Sequence, residues 1–362
     1  MNPIISIKGR FLKFISKRKT RPVPQIQSPK FILLMHQSIG DMIVFSSLIR
    51  EIKSGYQNPS IQVIASKKNI DIAKQNPYID KVFLYENKWS KLFPLLLNLR
   101  SINFHYAIEL EAKVVTRVIL MLKIISPQCI LSVSKREGRY GLKPQDVLPY
   151  DYYTNENLNH QSDTSLDILR LINIKVTDKS YDFFYSGKHR ARAKLFFSKF
   201  DNQKTIALNL AGSSNTRRFL DSDVEKILVG LRQISDNLTI ILLHEPKDIA
   251  FINQFINEEN STYVVASYPT ISIMDVGALI DNVNLLITPD TSLVHIACAF
   301  KKPLLAIYRN DKVAFEAWHP KSSNHHVVFS NYIDSLNSID TGQVISKSFD
   351  LISEYVDKEL KV

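Results

Sequence analysis

NLLITPDTSLVHIACAFKKPLLAIY, residues 284–308, reads as a strand, a helix and a second strand with almost nothing between them. NLLITPD (284–290) is an apolar strand that ends in a polar step. SLVHIACAF starts a helix immediately after Pro289-Asp290-Thr291-Ser292, and PLLAIY (303–308) is the next strand. Strand, helix and strand in that order make a βαβ unit and call for a parallel sheet.

The alternation extends backwards. TIALNL (205–210), LTIILLH (238–244) and YVVAS (263–267) are strands. Helices fall at SDVEKILVGLRQIS, where Ser222 and Glu225 form a capping-box pattern, through FINQFI, and at SIMDVGALIDN. The first half repeats the scheme. FILLMH, IQVIAS (61–66), KVFLY (81–85) and AIEL (107–110) are strands; residues 42–54, NIDIAKQ and VVTRVILMLKII (114–125) are helices. Residues 134–190 are rich in Tyr, Asn, Asp and Gly and read as loops and an inter-domain crossing, with a helix at 165–174. The expected fold is α/β: two Rossmann-like, doubly wound domains facing a central cleft. The expected divisions are a basic tail and linker (1–29), a first domain (30–185), a second (186–342) and a closing helix (343–362).

Bulk properties agree. A chain of 362 residues exceeds one ordinary core, and two domains of roughly 100–200 residues are the default. With 45% apolar and 22% charged residues it is globular rather than disordered. No apolar run approaches the ~18 residues of a membrane span. The net charge of +11 is unevenly placed: residues 1–30 carry eight basic residues and no acid. The body is therefore close to neutral, which argues against a nucleic-acid surface. In the tail, Ile4, Ile7, Phe11, Leu12, Phe14 and Ile15 share one side of a helical wheel, with Arg10, Lys13 and Lys17 on the other. That is the pattern of an interfacial anchor on a membrane surface; a solvated tail interrupted by Gly9 is the plain alternative. Cys129 and Cys298 are far apart in apolar contexts and suit two buried thiols in a reducing compartment. No Cys/His spacing suggests zinc, and no metal is expected at the acidic runs 109–111 and 221–223.

Ligands of open α/β sheets sit beyond the carboxyl ends of the strands, and the polar residues cluster there. After the 284–290 strand, Asp290, Thr291 and Ser292 open a helix whose free N–H groups suit phosphate, and His295 follows on its first turn. Capping alone also accounts for Asp290 and Thr291, and a lone histidine is more often structural. NLAGSSNTRRFL (209–220) offers the hydroxyl of Ser213 and the guanidinium of Arg217; a solvated loop is the plain alternative. HEPKDIA (244–250) offers Asp248, a carboxylate suited to ribose hydroxyls. Hydroxyl, cation and carboxylate together suit a nucleoside diphosphate. In the first half, Gly40-Asp41 stands where a strand turns into a helix, as a cap or as chemistry. Lys67 and Lys68 stand near another strand end, where acceptor anions or plain solvation account for them.

SIGDMIVFSSLIREIK, NPYIDKV, AGSSNTRRF and PDTSLVHIACAFKKP, in that order, resemble glycosyltransferase family 9, the heptosyltransferases. The resemblance runs from about residue 31 to 308 and implies the GT-B architecture. It implies inverting, metal-independent transfer, without a cofactor, from a nucleotide sugar, ADP-heptose above all, to the lipopolysaccharide core. It makes Asp41 the catalytic base; on that reading Gly40, which lets a sugar approach the backbone, and Lys67 and Lys68, near a strand end of the same domain, are expected on the acceptor side. Ser213, Arg217, Asp248, Asp290, Thr291, Ser292 and His295 become donor-binding residues. It further implies a cytoplasmic enzyme meeting a lipid-anchored acceptor at the inner membrane. Departures fall on the donor side: Asn209-Leu210-Ala211 for His-Pro-Gly, Ser292 for glycine and Arg217 for lysine. Glu109-Leu110-Glu111-Ala112 replaces Asp-x-Gln-Gly. They keep two alternatives open, a relative with a different donor sugar and a nucleotide-sugar-binding protein without turnover.

Overall fold

The structure is a computed structural model that describes residues 6–17, 19–143, 150–154, 160–210, 212 and 215–356. Ile4, Ala211, Ser213 and Ser214 lie outside the described residues. The chain divides into two compact units, Met1–Lys179 and Ser180–Val362.

The first unit opens with helix α1 (Ile7–Ser16) and then builds a parallel sheet from β1 (Lys30–Met35), β2 (Ser60–Ala65), β3 (Lys81–Leu84), β4 (Tyr106–Glu109), β5 (Cys129–Ser132) and β6 (Tyr152–Tyr153). The strand order is β3-β2-β1-β4-β5-β6. Five of the six β1 residues are buried, because helices cover both faces of a parallel sheet. The helices are α2 (Ile39–Val44), α3 (Ser46–Gly55), α4 (Ile70–Gln75), α5 (Trp89–Ser101), α6 (Thr116–Ile125) and α7 (Gln161–Asp167). The helix expected at 42–54 is broken at Phe45, where the buried Ser46 hydroxyl donates to the Ile43 carbonyl at 2.6 Å. The helix expected at 165–174 is α7 continued by a 3-10 turn, Ile168–Ile172, which ends on Asn173 at φ 57°. The segment beyond is tied to α3: buried Glu51 accepts from the Thr177 N–H (2.7 Å), the Thr177 hydroxyl (3.0 Å) and the Asp178 N–H (3.2 Å).

The tail differs from the single-sided helix of the wheel. Leu12 and Ile15 pack inwards on α6 with Val114, Ile119 and Leu142, whereas Ile7, Phe11 and Phe14 point outwards. Helix α1 is apolar in two directions and folded onto the unit. The linker is pinned as well: the Tyr106 hydroxyl donates to the Pro24 carbonyl at 2.6 Å.

The second unit has the parallel sheet β12-β11-β10-β7-β8-β9, from β7 (Lys204–Asn209), β8 (Leu238–Leu243), β9 (Val264–Ala266), β10 (Leu285–Pro289), β11 (Leu304–Tyr308) and β12 (His325–Phe329). Numbered within the unit this is the first sheet's order again. In each, chain order reverses between the first and fourth strands, β1/β4 and β7/β10, which are the switch points where open sheets hold ligands. Helices α8 (Gly187–Phe197), α9 (Asp221–Arg232), α10 (Ile249–Ile252), α11 (Ile273–Asn282), α12 (Ser292–Ala299), α13 (Lys312–Trp318) and α14 (Thr341–Leu351) surround it. The closing segment is α14 with a π turn to Val356; it lies on α9, where a Cβ at Gly230 would meet the Ile345 side chain at 2.1 Å.

The capping box expected at Ser222 and Glu225 does not form. Helix α9 begins at Asp221 with Leu220 as N-cap and no side-chain cap, so Ser222 already sits inside the first turn. Asp221 and Asp223 support that turn through the helix dipole instead. Capping boxes form at Ser38/Asp41 and Ser272/Asp275. Cys129 and Cys298 are buried thiols that form no disulfide with each other. Among the described residues no helix is long and apolar enough to cross a membrane.

Candidate active site

At the first unit's switch point, β1 ends at Met35 and His36-Gln37-Ser38 lead into α2, whose third residue is Asp41. Its Oδ2 accepts from the Ser38 N–H at 2.9 Å and from the Ser38 hydroxyl. The Asp41 N–H donates back to Ser38 Oγ at 3.5 Å. Among the described residues Oδ1 accepts no hydrogen bond. The cap therefore engages one oxygen of this carboxylate, and the other is open among the described residues. Gly40 is the second residue of α2, in helical conformation with no positive φ. Lys67 and Lys68 lie in the exposed turn after β2. The working residue of that turn is buried Asn69, which the sequence reading missed. Its Nδ2 donates to the Met35 and Ser38 carbonyls at 2.9 and 3.1 Å, clamping the link that carries Asp41.

From β4, Glu109 is buried and accepts from Lys135, from the Ser132 hydroxyl (2.8 Å) and from the Glu111 N–H (2.7 Å). Lys135 also donates to the Glu111 carbonyl and lies 4.7 Å over the Tyr150 ring. Glu109 is thus fully engaged in structure. Glu111 is half-buried; burial raises its pKa first, the neighbouring Glu109 and Asp41 charges add to that, and a hydrogen bond with Gln37 opposes them. His36 stacks on Tyr85 at 4.6 Å, and burial lowers its pKa.

At the second unit's switch point, the Asn209 amide donates to Thr288 Oγ1 at 2.9 Å and ties the ends of β7 and β10. Beyond β7, the Gly212 N–H donates to the Arg217 carbonyl at 2.8 Å, and a Cβ at Gly212 would meet the Arg217 Cβ at 2.7 Å. Arg217 is thereby turned back onto β10: Nη1 donates to the Asp290 carbonyl at 3.0 Å and Nη2 lies 3.4 Å from Asp290 Oδ2. Burial raises the Asp290 pKa, and Arg217 and Arg309 hold it down. Thr291 caps α12 by accepting from the Leu293 N–H at 3.2 Å, and Ser292 is the half-buried first residue of the helix. Three predicted donor residues therefore adjoin at one strand end, with Arg217 joined to them across the sheet.

His295 belongs to the interior. It is buried, with its ring 6.0 Å from Tyr181 and 6.2 Å from Trp318. Asp248 is half-buried in the turn after β8, one strand away from the switch point. Ser213 lies outside the described residues. Arg309, at the end of β11 beside β10, is a second cation near Asp290 that the sequence reading missed; the strand-end rule applied to PLLAIY would have found it.

Residues 110–340 match the pattern of glycosyltransferase family 9 (heptosyltransferase). The chain is 25% identical over 335 residues to "Putative lipopolysaccharide heptosyltransferase 4" of Escherichia coli strain K12, covering 89% of this chain and 87% of that one. Its fold resembles the crystal structure of a family 9 glycosyltransferase from Veillonella parvula, with TM-score 0.74, 16% identity and coverage of 92% and 99%. It also resembles the ADP-heptose lipopolysaccharide heptosyltransferase II of E. coli, with TM-score 0.71, 16% identity and coverage of 90% and 99%. Such structural likeness establishes the fold. The family pattern spans well over half of the chain, begins directly after β4, takes in the whole β7/β10 switch point, and makes this protein a glycosyltransferase of family 9.

Proposed function

We propose that the chain transfers heptose from ADP-heptose to a lipid-anchored lipopolysaccharide core saccharide at a membrane surface, with inversion and without a metal ion. The observation that carries this reading is the Asp41 carboxylate at the β1 end, capped through Oδ2 and, among the described residues, unengaged at Oδ1. In the proposed step Oδ1 takes the proton from the acceptor hydroxyl. The hydroxyl oxygen attacks the anomeric carbon, the bond from that carbon to the diphosphate oxygen breaks, and ADP leaves. Arg217 and the N–H groups of α12 offset the charge that collects on the diphosphate. For the guanidinium to face phosphate, the donor competes with Asp290 for it. Asp248 is assigned to the ribose and Lys67 and Lys68 to surface solvation. His295 holds α12 in place from behind. The names of the similar proteins, which include ADP-heptose and lipopolysaccharide, support the choice of donor and acceptor.

The test is a reaction of the purified protein with ADP-heptose and core saccharide lacking heptose, followed by ADP release and mass spectrometry of the product. ADP release with a one-heptose mass gain is the expected result; neither signal at any acceptor concentration would reject the reading. A second reading, a different nucleotide sugar, is favoured by Ser292 and Arg217, which stand where the family has glycine and lysine. A panel of nucleotide sugars in the same assay separates the two.

A further inference from the structure

Among the described residues of the first unit, every exposed large apolar side chain lies on α1 or α5. On α1, Ile7, Phe11 and Phe14 are 87%, 55% and 69% exposed; on α5, Trp89, Phe93 and Leu97 are 40%, 47% and 47% exposed. Their spacings, i, i+4, i+7 and i, i+4, i+8, put each set on one side of its helix. Both helices pack against α6. Between them runs a groove of ≈ 530 Å³, with Leu97, Ile119 and Ile124 among its apolar walls and Lys17, Arg100 and Lys123 among its lining.

None of these three helices carries a carboxylate, while Lys8, Arg10, Lys13, Lys91, Arg100, Arg117 and Lys123 lie on them. Arg100 and Lys123 donate to backbone carbonyls, of Ile124 (3.2 Å) and Ile15 (3.0 Å), and form no ion pair among the described residues. The second bond also fixes the end of α1 to α6. The face is therefore preformed, apolar at its centre and positive around it.

We propose that the α1, α5 and α6 face is a docking surface for a bilayer that carries anionic phospholipids. Such a surface needs two signals, apolar side chains that enter the headgroup boundary and cations that meet lipid phosphates, because either alone binds weakly. A protein partner is the poorer match, since the three helices offer cations without carboxylates around exposed aromatics. The groove gives one acyl chain room between the helices. The proposal rests on the reading above only for its purpose, bringing a transferase to a lipid-anchored acceptor; vesicles without acceptor test it separately from sugar transfer.

The experiment is flotation of the full-length protein with vesicles of phosphatidylcholine alone and of phosphatidylcholine mixed with phosphatidylglycerol. Binding to the mixed vesicles alone is expected, falling as salt is raised. The double substitutions Phe93→Ser/Leu97→Ser and Lys17→Glu/Lys91→Glu alter exposed positions, and each is expected to lower binding about tenfold or more. In a Trp318→Phe background, Trp89 is the sole tryptophan, and brominated acyl chains are expected to quench it. Equal binding to both vesicle types, no binding to either, or full binding by the Phe93→Ser/Leu97→Ser protein would each overturn the proposal.

Discussion

Ser38 and Asp41 hold each other at the start of α2: Asp41 Oδ2 accepts the Ser38 N–H at 2.9 Å, and Ser38 Oγ takes the Asp41 N–H at 3.5 Å. The carboxylate is aimed during folding, before any substrate arrives. An asparagine side chain keeps an oxygen for the Ser38 N–H but has no basic oxygen. Asp41→Asn is therefore expected to melt near wild type and to bind ADP unchanged by calorimetry. Its transfer rate should fall about 10²–10⁴-fold, the usual contribution of a general base. A near-normal rate would remove Asp41 from the proton transfer.

Arg217 spans from the β7 loop to Asp290. Arg217→Ala should raise the dissociation constant for ADP about 10–100-fold, the range for one charge-assisted hydrogen bond. Arg217→Lys should recover part of the loss, since it restores the charge without the fork. Unchanged ADP titrations for both variants would exclude Arg217 from the donor site.

Glu111 gives a pH dependence with a definite sign. Its folded pKa is raised above 4.5, so the unfolded chain releases this proton first as pH rises. The folded state then binds more protons across that window, and stability falls with rising pH through it. Glu111→Gln removes the charge that is costly to bury. Urea denaturation should find the variant more stable than wild type at neutral pH, with the difference gone below about pH 4. An equal difference at both pH values would mean that Glu111 acts through packing.

The Glu109–Lys135 pair is buried at both ends. Lys135→Met leaves the buried carboxylate with only neutral hydrogen-bond donors, the Ser132 hydroxyl and the Glu111 N–H, and no counter-charge, and should cost about 3–5 kcal/mol in urea unfolding. Glu109→Gln combined with Lys135→Met should cost clearly less than Lys135→Met alone, because no unpaired charge remains. A double variant as unstable as Lys135→Met would refute the ion-pair account.

Nine of the twelve strands among the described residues were legible because a parallel sheet covered on both faces leaves apolar runs such as FILLMH and PLLAIY; β5, β6 and β12 were not, the first two being short and β12 only partly buried. Helix α5 was not: Pro94 stands inside it, and its buried Leu92, Leu96 and Leu99 are set among further apolar residues that face outwards, which hides the period. The S-x-x-E pattern at Ser222 misled, since a cap depends on where the helix begins and not on the residues alone. At the site, the strand-end rule brought out Asp41, Arg217 and Asp290 one by one. Their local partners were partly readable, as Ser38 lies three residues from Asp41. The contact of Arg217 with Asp290 crosses 73 residues of sequence and exists only because β7 and β10 are neighbours. Asn69 was hidden for the same reason, since its amide serves carbonyls on another strand's exit.

The two cysteines fall one to each unit, Cys129 on β5 and Cys298 on α12. Burial pushes the Cys298 thiol up to about 12, so in the folded state it is a poor nucleophile as well as an inaccessible one. Thiol-modifying reagents should therefore label each unit only when that unit opens. With Cys129→Ala and Cys298→Ala taken in turn, labelling rates become two separate clocks for local opening in one chain. The addition of ADP should slow the clock at Cys298, which sits in the helix that begins at Ser292, and leave the one at Cys129 running at its former rate.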